Sequence, residues 1–230
     1  MKFGVVVFPG SNCDRDAIGA LRVDMGQEVT VLWHKDRDLS SFDTRDCIIL
    51  PGGFSYGDYL RCGALARFSP MMESVIEFAR AGGKVLGICN GFQVLCEAGL
   101  LPGVLVRNAS QKFVCRNIFI KSTNASLPFT RAILDQPLKI PVAHGEGRYL
   151  ADEKTLLELA ANDQILFHYC GDDGQINGAG NPNGSLSHIA GITNREKNVY
   201  GMMPHPERAT SERLGNTDGR RILAGLIGSN

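Results

Sequence analysis

The feature that most constrains this sequence is a short apolar run that ends in the pattern Gly-x-Cys-x-Gly. Residues 84–88 form the run, Cys89 stands between Gly87 and Gly91, and the apolar spacing of a helix follows. A turn that pushes one side chain up out of a sheet crowds its neighbours, and glycine relieves the crowding because it has no Cβ. The pattern therefore predicts a strand, a sharp turn and a helix, the arrangement of a nucleophile elbow with cysteine in place of serine.

Cys89 is the candidate nucleophile of this elbow. The helix predicted from Asn90 would point its free N–H groups and the positive end of its dipole at the sulfur, which favours a thiolate. The alternative is a structural role, since free cysteine is among the most buried residue types. The strand–turn–helix context favours catalysis.

The other six cysteines do not indicate a disulfide framework or a zinc site. The set of seven is odd in number and contains no C-x-x-C pair, and the five histidines show no H-E-x-x-H motif. We therefore interpret these cysteines as reduced thiols and predict no metal site. They are Cys13, Cys47, Cys62, Cys96, Cys115 and Cys170.

Composition excludes several classes of protein. Lys plus Arg and Asp plus Glu number 24 each, so no net charge recruits nucleic acid or an anionic membrane. The apolar run of residues 3–8 is too short for a signal or membrane segment. A chain of 230 residues can bury a substantial core. We expect a cytoplasmic protein that folds as one domain, residues 1–230.

Strand-like and helix-like segments alternate along the first half of the chain. Strand, helix and strand in this order are typical of a parallel sheet, so we predict an α/β fold with a mostly parallel central sheet flanked by helices. Functional loops of such sheets lie beyond the carboxyl ends of the strands. The predicted strands are residues 2–8, 28–32, 47–50 and 84–88, and the predicted helices are residues 14–25 and 70–81.

The second half predicts a smaller antiparallel addition. Short apolar runs with turns between them indicate separate strands at residues 104–106, 113–115 and 118–120. Residues 171–187 form a long polar loop of the kind that binds ligands or partners. Further strands are predicted at residues 140–143, 165–169, 189–193 and 199–203, with helices at residues 152–161 and 220–227.

A glycine pair follows the strand that ends at Leu50. Gly52 and Gly53 can turn backbone N–H groups toward a ligand, as an oxyanion hole requires, although many such pairs are only turns. Neither this segment nor the loop after the first strand contains G-x-G-x-x-G or a Walker A motif. We predict no nucleotide site in this chain.

A cysteine nucleophile needs a histidine base, and two His-x-acid segments are candidates. His205-x-Glu207 follows an apolar strand and is stiffened by two prolines. His144-x-Glu146 lies among flexible glycines, which suit a loop that contacts substrate or a partner. We favour His205 as the base and Glu207 as its orienting group, with His144 and Glu146 as the alternative pair.

Several segments together resemble a known family. The Cys89 segment, Pro51-Gly52-Gly53 and residues 204–207 resemble the class I glutamine amidotransferases, which use a Cys-His-Glu triad. Four further segments are similar to the glutaminase subunits of phosphoribosylformylglycinamidine synthase. These segments are residues 8–14, 51–61, 144–148 and 180–185.

The resemblance implies one class I glutamine amidotransferase domain over residues 1–230, with a flavodoxin-like, three-layer fold. In that family the residue matching Cys89 attacks the side-chain amide of glutamine and forms a γ-glutamyl thioester. The residue matching His205 protonates the departing ammonia and later activates water, while Glu207 would orient His205.

The resemblance also implies how the substrate is held. The backbone N–H groups of Gly53 and Asn90 would form the oxyanion hole, and Gly52 and Gln93 are candidate substrate-binding residues. At position 62 the family pattern leads us to expect a small residue such as alanine, whereas this chain has Cys62, which is a candidate second reactive thiol.

The same resemblance implies partners. L-glutamine would be the substrate, and a large PurL-like synthetase subunit would bind ATP and Mg²⁺ and consume the ammonia, with a small PurS-like accessory subunit. This chain itself would need no cofactor. Residues 144–148 and 178–185 are candidate partner-facing or gating loops.

Two alternatives stay open. One is an amidotransferase that serves another acceptor, against which residues 54–58 and the Gly-Asn-Pro-Asn-Gly loop argue. The other is a non-catalytic regulatory subunit on the same fold, against which the presence of Cys89, His205 and Glu207 argues.

Overall fold

The computed structural model describes residues 1–125, 127–131, 133–134 and 136–228. Strands account for the centre of this described part. They are β1 (Lys2–Val7), β2 (Glu28–Trp33), β3 (Cys47–Leu50), β4 (Lys84–Ile88), β5 (Val104–Val106), β6 (Val114–Lys121), β7 (Leu138–His144), β8 (Arg148–Leu150), β9 (Ile165–Cys170), β10 (Ile189–Thr193) and β11 (Val199–Met202).

Nine of these strands form one sheet in the order β2-β1-β3-β4-β11-β10-β9-β6-β7, counted within the described residues. The first five strands in this order are parallel to one another, and the strands from β10 to β7 continue the sheet in antiparallel fashion. β5 and β8 pair as a separate antiparallel sheet. The predicted α/β fold, with a parallel sheet and a smaller antiparallel addition, is confirmed.

Helices cover the sheet. The β1–α1–β2 crossover runs toward one edge of the sheet, and the β3–α2–β4 crossover runs toward the other edge. Because crossovers between parallel strands are right-handed, α1 and α2 lie on opposite faces of the sheet. No helix in the described part of the chain is long and apolar enough to cross a membrane. The α-helices described are α1 (Asp14–Gly19), α2 (Pro70–Arg80), α3 (Asn90–Glu97), α4 (Pro128–Arg131), α5 (Glu153–Ala161) and α6 (Asp218–Ile227).

Two helices show why these sequences fold as they do. In α2 the buried residues recur with helical spacing, which gives the helix one apolar face: Met71, Met72, Val75, Phe78 and Ala79. In α5 the side chain of Asp152 caps the first turn by accepting a hydrogen bond from the backbone N–H of Thr155 at 2.7 Å.

Some predicted elements were wrong in detail. The separate strands at residues 113–115 and 118–120 are one strand, β6, because its exposed polar middle also pairs with β7, without a break in the register. The helix predicted to reach residue 25 is α-helical only to Gly19 and continues as a π-helical turn at Ala20–Asp24. Strand β8 and helix α4 were not predicted.

Two glycines let α3 approach the sheet closely. Gly87 of β4 and Gly201 of β11 are paired neighbours. A Cβ on Gly201 would lie 2.2 Å from Cδ2 of Phe92, and one on Gly87 would lie 2.6 Å from the backbone of Gly91. The helix therefore begins directly above the carboxyl ends of the central strands.

The sheet also curls strongly from β4 to β7. These strands lie five positions apart, which in a flat sheet would separate them by roughly 24 Å. Yet the carbonyl oxygen of Ala143 in β7 is 3.8 Å from Sγ of Cys89, and Pro141 accepts a backbone hydrogen bond from His205 at 2.9 Å. The far edge of the sheet thus returns to the carboxyl ends of the parallel strands.

Candidate active site

Cys89 occupies the sharp turn between β4 and α3. Its backbone has φ 51° and ψ −105°, which L-residues rarely adopt, and its side chain is buried. Its N–H donates to the carbonyl of Met202 at 2.7 Å. A Cβ on Gly91 would lie 1.9 Å from the carbonyl oxygen of Leu50, so glycine is required there. The elbow predicted from the sequence is present.

His205 and Glu207 form a buried pair beside this elbow. Nδ1 of His205 is 2.6 Å from Oε1 of Glu207, and both residues are 3% exposed or less. The alternative pair is not formed, because His144 Nδ1 contacts Oδ1 of Asn108 at 3.1 Å instead of Glu146.

The protonation of the two buried histidines differs. Burial lowers the pKa of His205, but the charges of Glu207 and Cys89 outweigh it and raise the pKa above its ordinary value. Burial, aided by the charge of His205, lowers the pKa of His144 to about 4. His205 is therefore suited to carry a proton, and His144 is neutral near neutral pH.

Gly52 lies where the nucleophile and the histidine meet. A Cβ at this position would lie 2.7 Å from Cε1 of His205, 3.3 Å from Cβ of Cys89 and 3.3 Å from Sγ of Cys13. All three side chains therefore surround one small space. Glycine is needed at position 52 to leave that space open.

Gly53 and Asn90 are tied into one framework. Gly53 has φ 116°, and a Cβ there would lie 2.6 Å from the backbone nitrogen of Asn12. The side-chain oxygen of Asn90 accepts from the N–H of Ser55 at 3.2 Å. Since Asn90 begins α3, its own N–H has no partner within the helix. The structure thus links the loop after β3 to the first turn of α3.

Gln93 extends this framework to the loop after β7. Its side-chain amide donates to the carbonyl of Glu146 at 2.6 Å, and its side-chain oxygen accepts from Asn90 at 2.9 Å. Gln93 is buried, and its role as a substrate-binding residue stays a prediction.

A cavity of about 520 Å³ opens next to this framework. Asp58, which accepts from the side-chain amide of Asn90 at 3.2 Å, and Glu146 both border it, so the cavity adjoins the elbow. Its lining combines carboxylates, cations and exposed aromatic rings. These residues include Phe54, Asp58, Arg107, Lys112, Phe113 and Glu146.

Cys62 also borders this cavity, but its surroundings oppose the reactivity considered from the sequence. Burial, together with hydrogen bonding and charge from Asp58 and Glu146, strongly raises the pKa of the Cys62 thiol. A thiol held in its neutral form is a poor nucleophile.

The two loops predicted to face a partner are joined to each other. Asn183 is buried, and its side-chain amide donates to the carbonyl of Gly147 at 2.7 Å. Nε of Arg148 donates to the carbonyl of Gly184 at 3.0 Å. Sequence reasoning did not single out these contacts, nor Asn108 and Asp58, because each depends on residues far apart in the chain.

Cys13 and Arg208 were likewise missed as neighbours of the site. Nη2 of Arg208 donates to Sγ of Cys13 at 3.1 Å, across 195 positions of sequence. The signal available in the sequence was the position of Cys13 in the loop after β1, at the same edge of the sheet as Cys89.

The fold and the elbow site define a class of protein. The profile of the CobB/CobQ-like glutamine amidotransferase domain matches residues 1–219, nearly the whole chain. The protein therefore belongs to the glutamine amidotransferases of this family.

Comparisons with individual proteins narrow the class. The phosphoribosylformylglycinamidine synthase subunit PurQ of Moorella thermoacetica is 58% identical over 228 residues, which cover 99% of this chain and 95% of the relative. The PurQ subunit of Gloeobacter violaceus is 54% identical over 230 residues, 100% of this chain and 98% of the relative. The resemblance to these glutaminase subunits, inferred from the motifs, is confirmed.

Solved structures agree. A chain in the structure of PurLQS from Thermotoga maritima superposes with a TM-score of 0.84 at 40% identity, over 98% of this chain and 97% of that one. A glutamine amidotransferase from Thermotoga maritima, 14% identical, superposes with a TM-score of 0.56 over 98% of this chain and 90% of that one, and shows the shared fold.

Proposed function

We propose that this chain is the glutaminase subunit of phosphoribosylformylglycinamidine synthase, with Cys89, His205 and Glu207 as its catalytic triad. The observation that carries the proposal is the buried His205–Glu207 pair beside a cysteine in a strained elbow. Strained backbone of this kind clusters at active sites. The identity to PurQ subunits over the full chain supports the choice of reaction.

The reaction proceeds in two halves. The sulfur of Cys89 attacks the side-chain carbonyl of glutamine, the C–N bond breaks, and His205 gives a proton to the departing ammonia. His205 then takes a proton from water, which attacks the γ-glutamyl thioester and releases glutamate. Glu207 holds the imidazole through Nδ1 and stabilises its protonated form.

Two backbone amides would stabilise the oxyanion. We assign this role to the N–H groups of Gly53 and Asn90, and the hydrogen bond from Ser55 to Asn90, which ties the loop of Gly53 to the start of α3, supports the assignment. Loss of one such donor in comparable hydrolases costs about 3–4 kcal/mol of transition-state stabilisation.

L-glutamine suits the cavity beside the elbow. Its α-amino group needs an acceptor such as Asp58 or Glu146, and its α-carboxylate needs a cation such as Arg107 or Lys112, and all of these line the cavity. Gly52 leaves room for the reacting amide, and Gln93 would shape the pocket through its contact with Glu146.

The ammonia would pass to a PurL-like synthetase subunit, which binds ATP and Mg²⁺ and converts formylglycinamide ribonucleotide to formylglycinamidine ribonucleotide in purine biosynthesis. A small PurS-like subunit would complete the complex, which would work in the cytoplasm. The likeness to a chain of PurLQS supports this assembly. We extend the amidotransferase domain to all of residues 1–230, supported by the profile match to residues 1–219.

The loops that contain Arg148 and Gly184 are proposed to face the partner. Because Arg148 joins them, the Arg148→Ala variant should weaken complex formation or the coupled rate, measured by co-purification and by glutamine-dependent synthesis. Wild-type affinity together with a wild-type coupled rate would contradict this role.

The proposed function is tested with the assembled synthase. Cys89→Ala should abolish glutamine-dependent synthesis and leave synthesis from free ammonia intact, while Cys115→Ala, at an exposed cysteine, serves as the control. An electrophilic glutamine analogue should label Cys89 alone in peptide mass spectrometry. Glutamine-dependent activity in the Cys89→Ala complex would show that Cys89 is not the nucleophile and would contradict the proposed triad.

A further inference from the structure

The side chain of Cys13 lies beside the His205–Glu207 pair, although the proposed reaction does not use it. Its sulfur, a ring nitrogen of His205 and a carboxylate oxygen of Glu207 lie within 4.8 Å of one another. Burial raises the pKa of the Cys13 thiol to about 12, so its sulfur is neutral near neutral pH. A neutral, buried thiol at this position is not a second nucleophile.

The sulfur of Cys13 helps to hold the guanidinium of Arg208. Nη2 of Arg208 donates to Cys13 Sγ at 3.1 Å, and Nε donates to Oδ2 of Asp16 at 2.8 Å. One donor atom each from Cys13, His205 and Glu207 also gives the spacing of a metal site, but a cation there would be repelled by the guanidinium already bound to the sulfur. The group is therefore organised around an arginine.

Glu207 offers this guanidinium a stronger partner. Its Oε1 accepts from His205, whereas its Oε2 is buried and has no hydrogen-bond partner among the described residues. Arginine and a carboxylate favour paired, charge-assisted hydrogen bonds. Glu207 and Arg208 are consecutive residues that border one cavity of about 250 Å³ with Asp16, so their two charges lie close together. Even so, no hydrogen bond joins them among the described residues.

We propose that Cys13 is a positioning residue for glutamine hydrolysis: together with Asp16 it holds Arg208 away from Glu207, so that Glu207 serves His205 alone. The inference rests on the proposed catalytic roles of His205 and Glu207. If Arg208 paired with Glu207, it would share the carboxylate's charge and turn its plane, and the imidazolium of His205 would lose its support. The neutral sulfur suits the task because it accepts from Arg208 without competing for the proton of His205.

The test measures glutamine hydrolysis by the assembled synthase. Cys13→Ala should lower kcat by about 10-fold with KM for glutamine unchanged, a size in keeping with small misplacements of catalytic groups. Cys13→Ser, which keeps an acceptor for Arg208, should retain kcat. Removing the guanidinium as well, in Cys13→Ala/Arg208→Gln, should restore kcat, which a merely structural role of Cys13 would not produce.

Asp16→Asn weakens the other interaction that holds Arg208, its ion pair with Asp16. Because Asp16 is half-exposed, this variant offers an independent test if Cys13→Ala does not fold. It should also lower kcat, and adding Arg208→Gln should reverse the loss. Full kcat in both single variants, or a loss that Arg208→Gln does not relieve, would overturn the inference. If the role of Cys13 is overturned in this way, loss of glutamine-dependent synthesis in Cys89→Ala would still support the proposed function. Failure of the inference can therefore be told apart from failure of the proposed function.

Discussion

Close packing around Cys89 determines the geometry of this site. The residue itself adopts an unfavourable backbone conformation, and Gly87, Gly91 and Gly52 each stand where a Cβ would collide with a neighbour. A conformation of this kind costs of order 1–3 kcal/mol and persists only when the surroundings impose it. Stability gained elsewhere in the core thus maintains a strained backbone conformation at one residue.

Gly52→Ala should damage catalysis more than folding. Its methyl group would lie 2.7 Å from Cε1 of His205, so the imidazole must move, and misplacement of about 1 Å can lower the rate by about 10²-fold. The measurement is kcat for glutamine hydrolysis with the melting temperature recorded in parallel.

Gly19→Ala is the matched control for this substitution. Position 19 has helical φ and open space where a Cβ would lie, so alanine there should leave kcat unchanged and raise stability slightly. If Gly52→Ala kept the wild-type kcat, the close packing of position 52 against His205 would have no catalytic consequence.

Glu207→Gln should test the support of the imidazole. The carboxylate of Glu207 is a main cause of the raised pKa of His205, so the pKa should fall when it is removed, as measured by NMR titration. The value of kcat should fall by roughly 10²–10⁴-fold, as for comparable triads. Glu212→Gln, at an exposed glutamate, is the control, and equal kcat values in the two variants would contradict the prediction.

At the scale of elements, prediction from sequence succeeded where the signal was local. Apolar runs gave the parallel strands, and the spacing of Gly87, Cys89 and Gly91 gave the elbow. Prediction failed at β6, since residues 115–117 of this strand are exposed and the polar side chains among them interrupt its apolar run. The contact between Cys13 and Arg208 depends on two chain segments meeting at one edge of the sheet, and no local pattern encodes that meeting.

Asn183 joins the loop of residues 178–185 to the loop of residues 144–148, and Asn183→Ala should destabilise the contact between them. The side chain donates to the carbonyl of Gly147 at 2.7 Å and to the hydroxyl of Tyr169 at 3.1 Å, and these buried acceptors would lose both hydrogen bonds. We expect the free energy of unfolding in urea to fall by roughly 1–3 kcal/mol. Gln175→Ala, at an exposed position of the same loop, should change it by less than about 0.5 kcal/mol. Equal effects of the two variants would show that the contact is not stabilising.

At the scale of the whole molecule, His144 makes stability depend on pH. Its pKa falls from 6.5 in the unfolded chain to about 4 in the fold, so the unfolded chain binds more protons between these values. Its contribution is present above pH 6.5 and is lost as the pH falls, by on the order of 2 kcal/mol between pH 7 and pH 5.

Urea unfolding at the two pH values measures this dependence. His144→Gln keeps a donor for Asn108 and cannot titrate, so its stability should vary less with pH than that of the wild type. An unchanged pH dependence in the variant would assign the effect to other groups.

The return of β7 to the nucleophile has a consequence for the order in which the protein becomes active. Cys89 contacts Ala143, and His205 is held through Pro141, so residues from three distant parts of the chain must assemble before Cys89 meets its proposed base. Contacts between residues so far apart in sequence are slow to form, because the entropy of closing the long intervening loops opposes them. With the proposed triad, a chain that is still being synthesised, or one whose sheet edge has opened, would hold Cys89 without its base and would not hydrolyse glutamine.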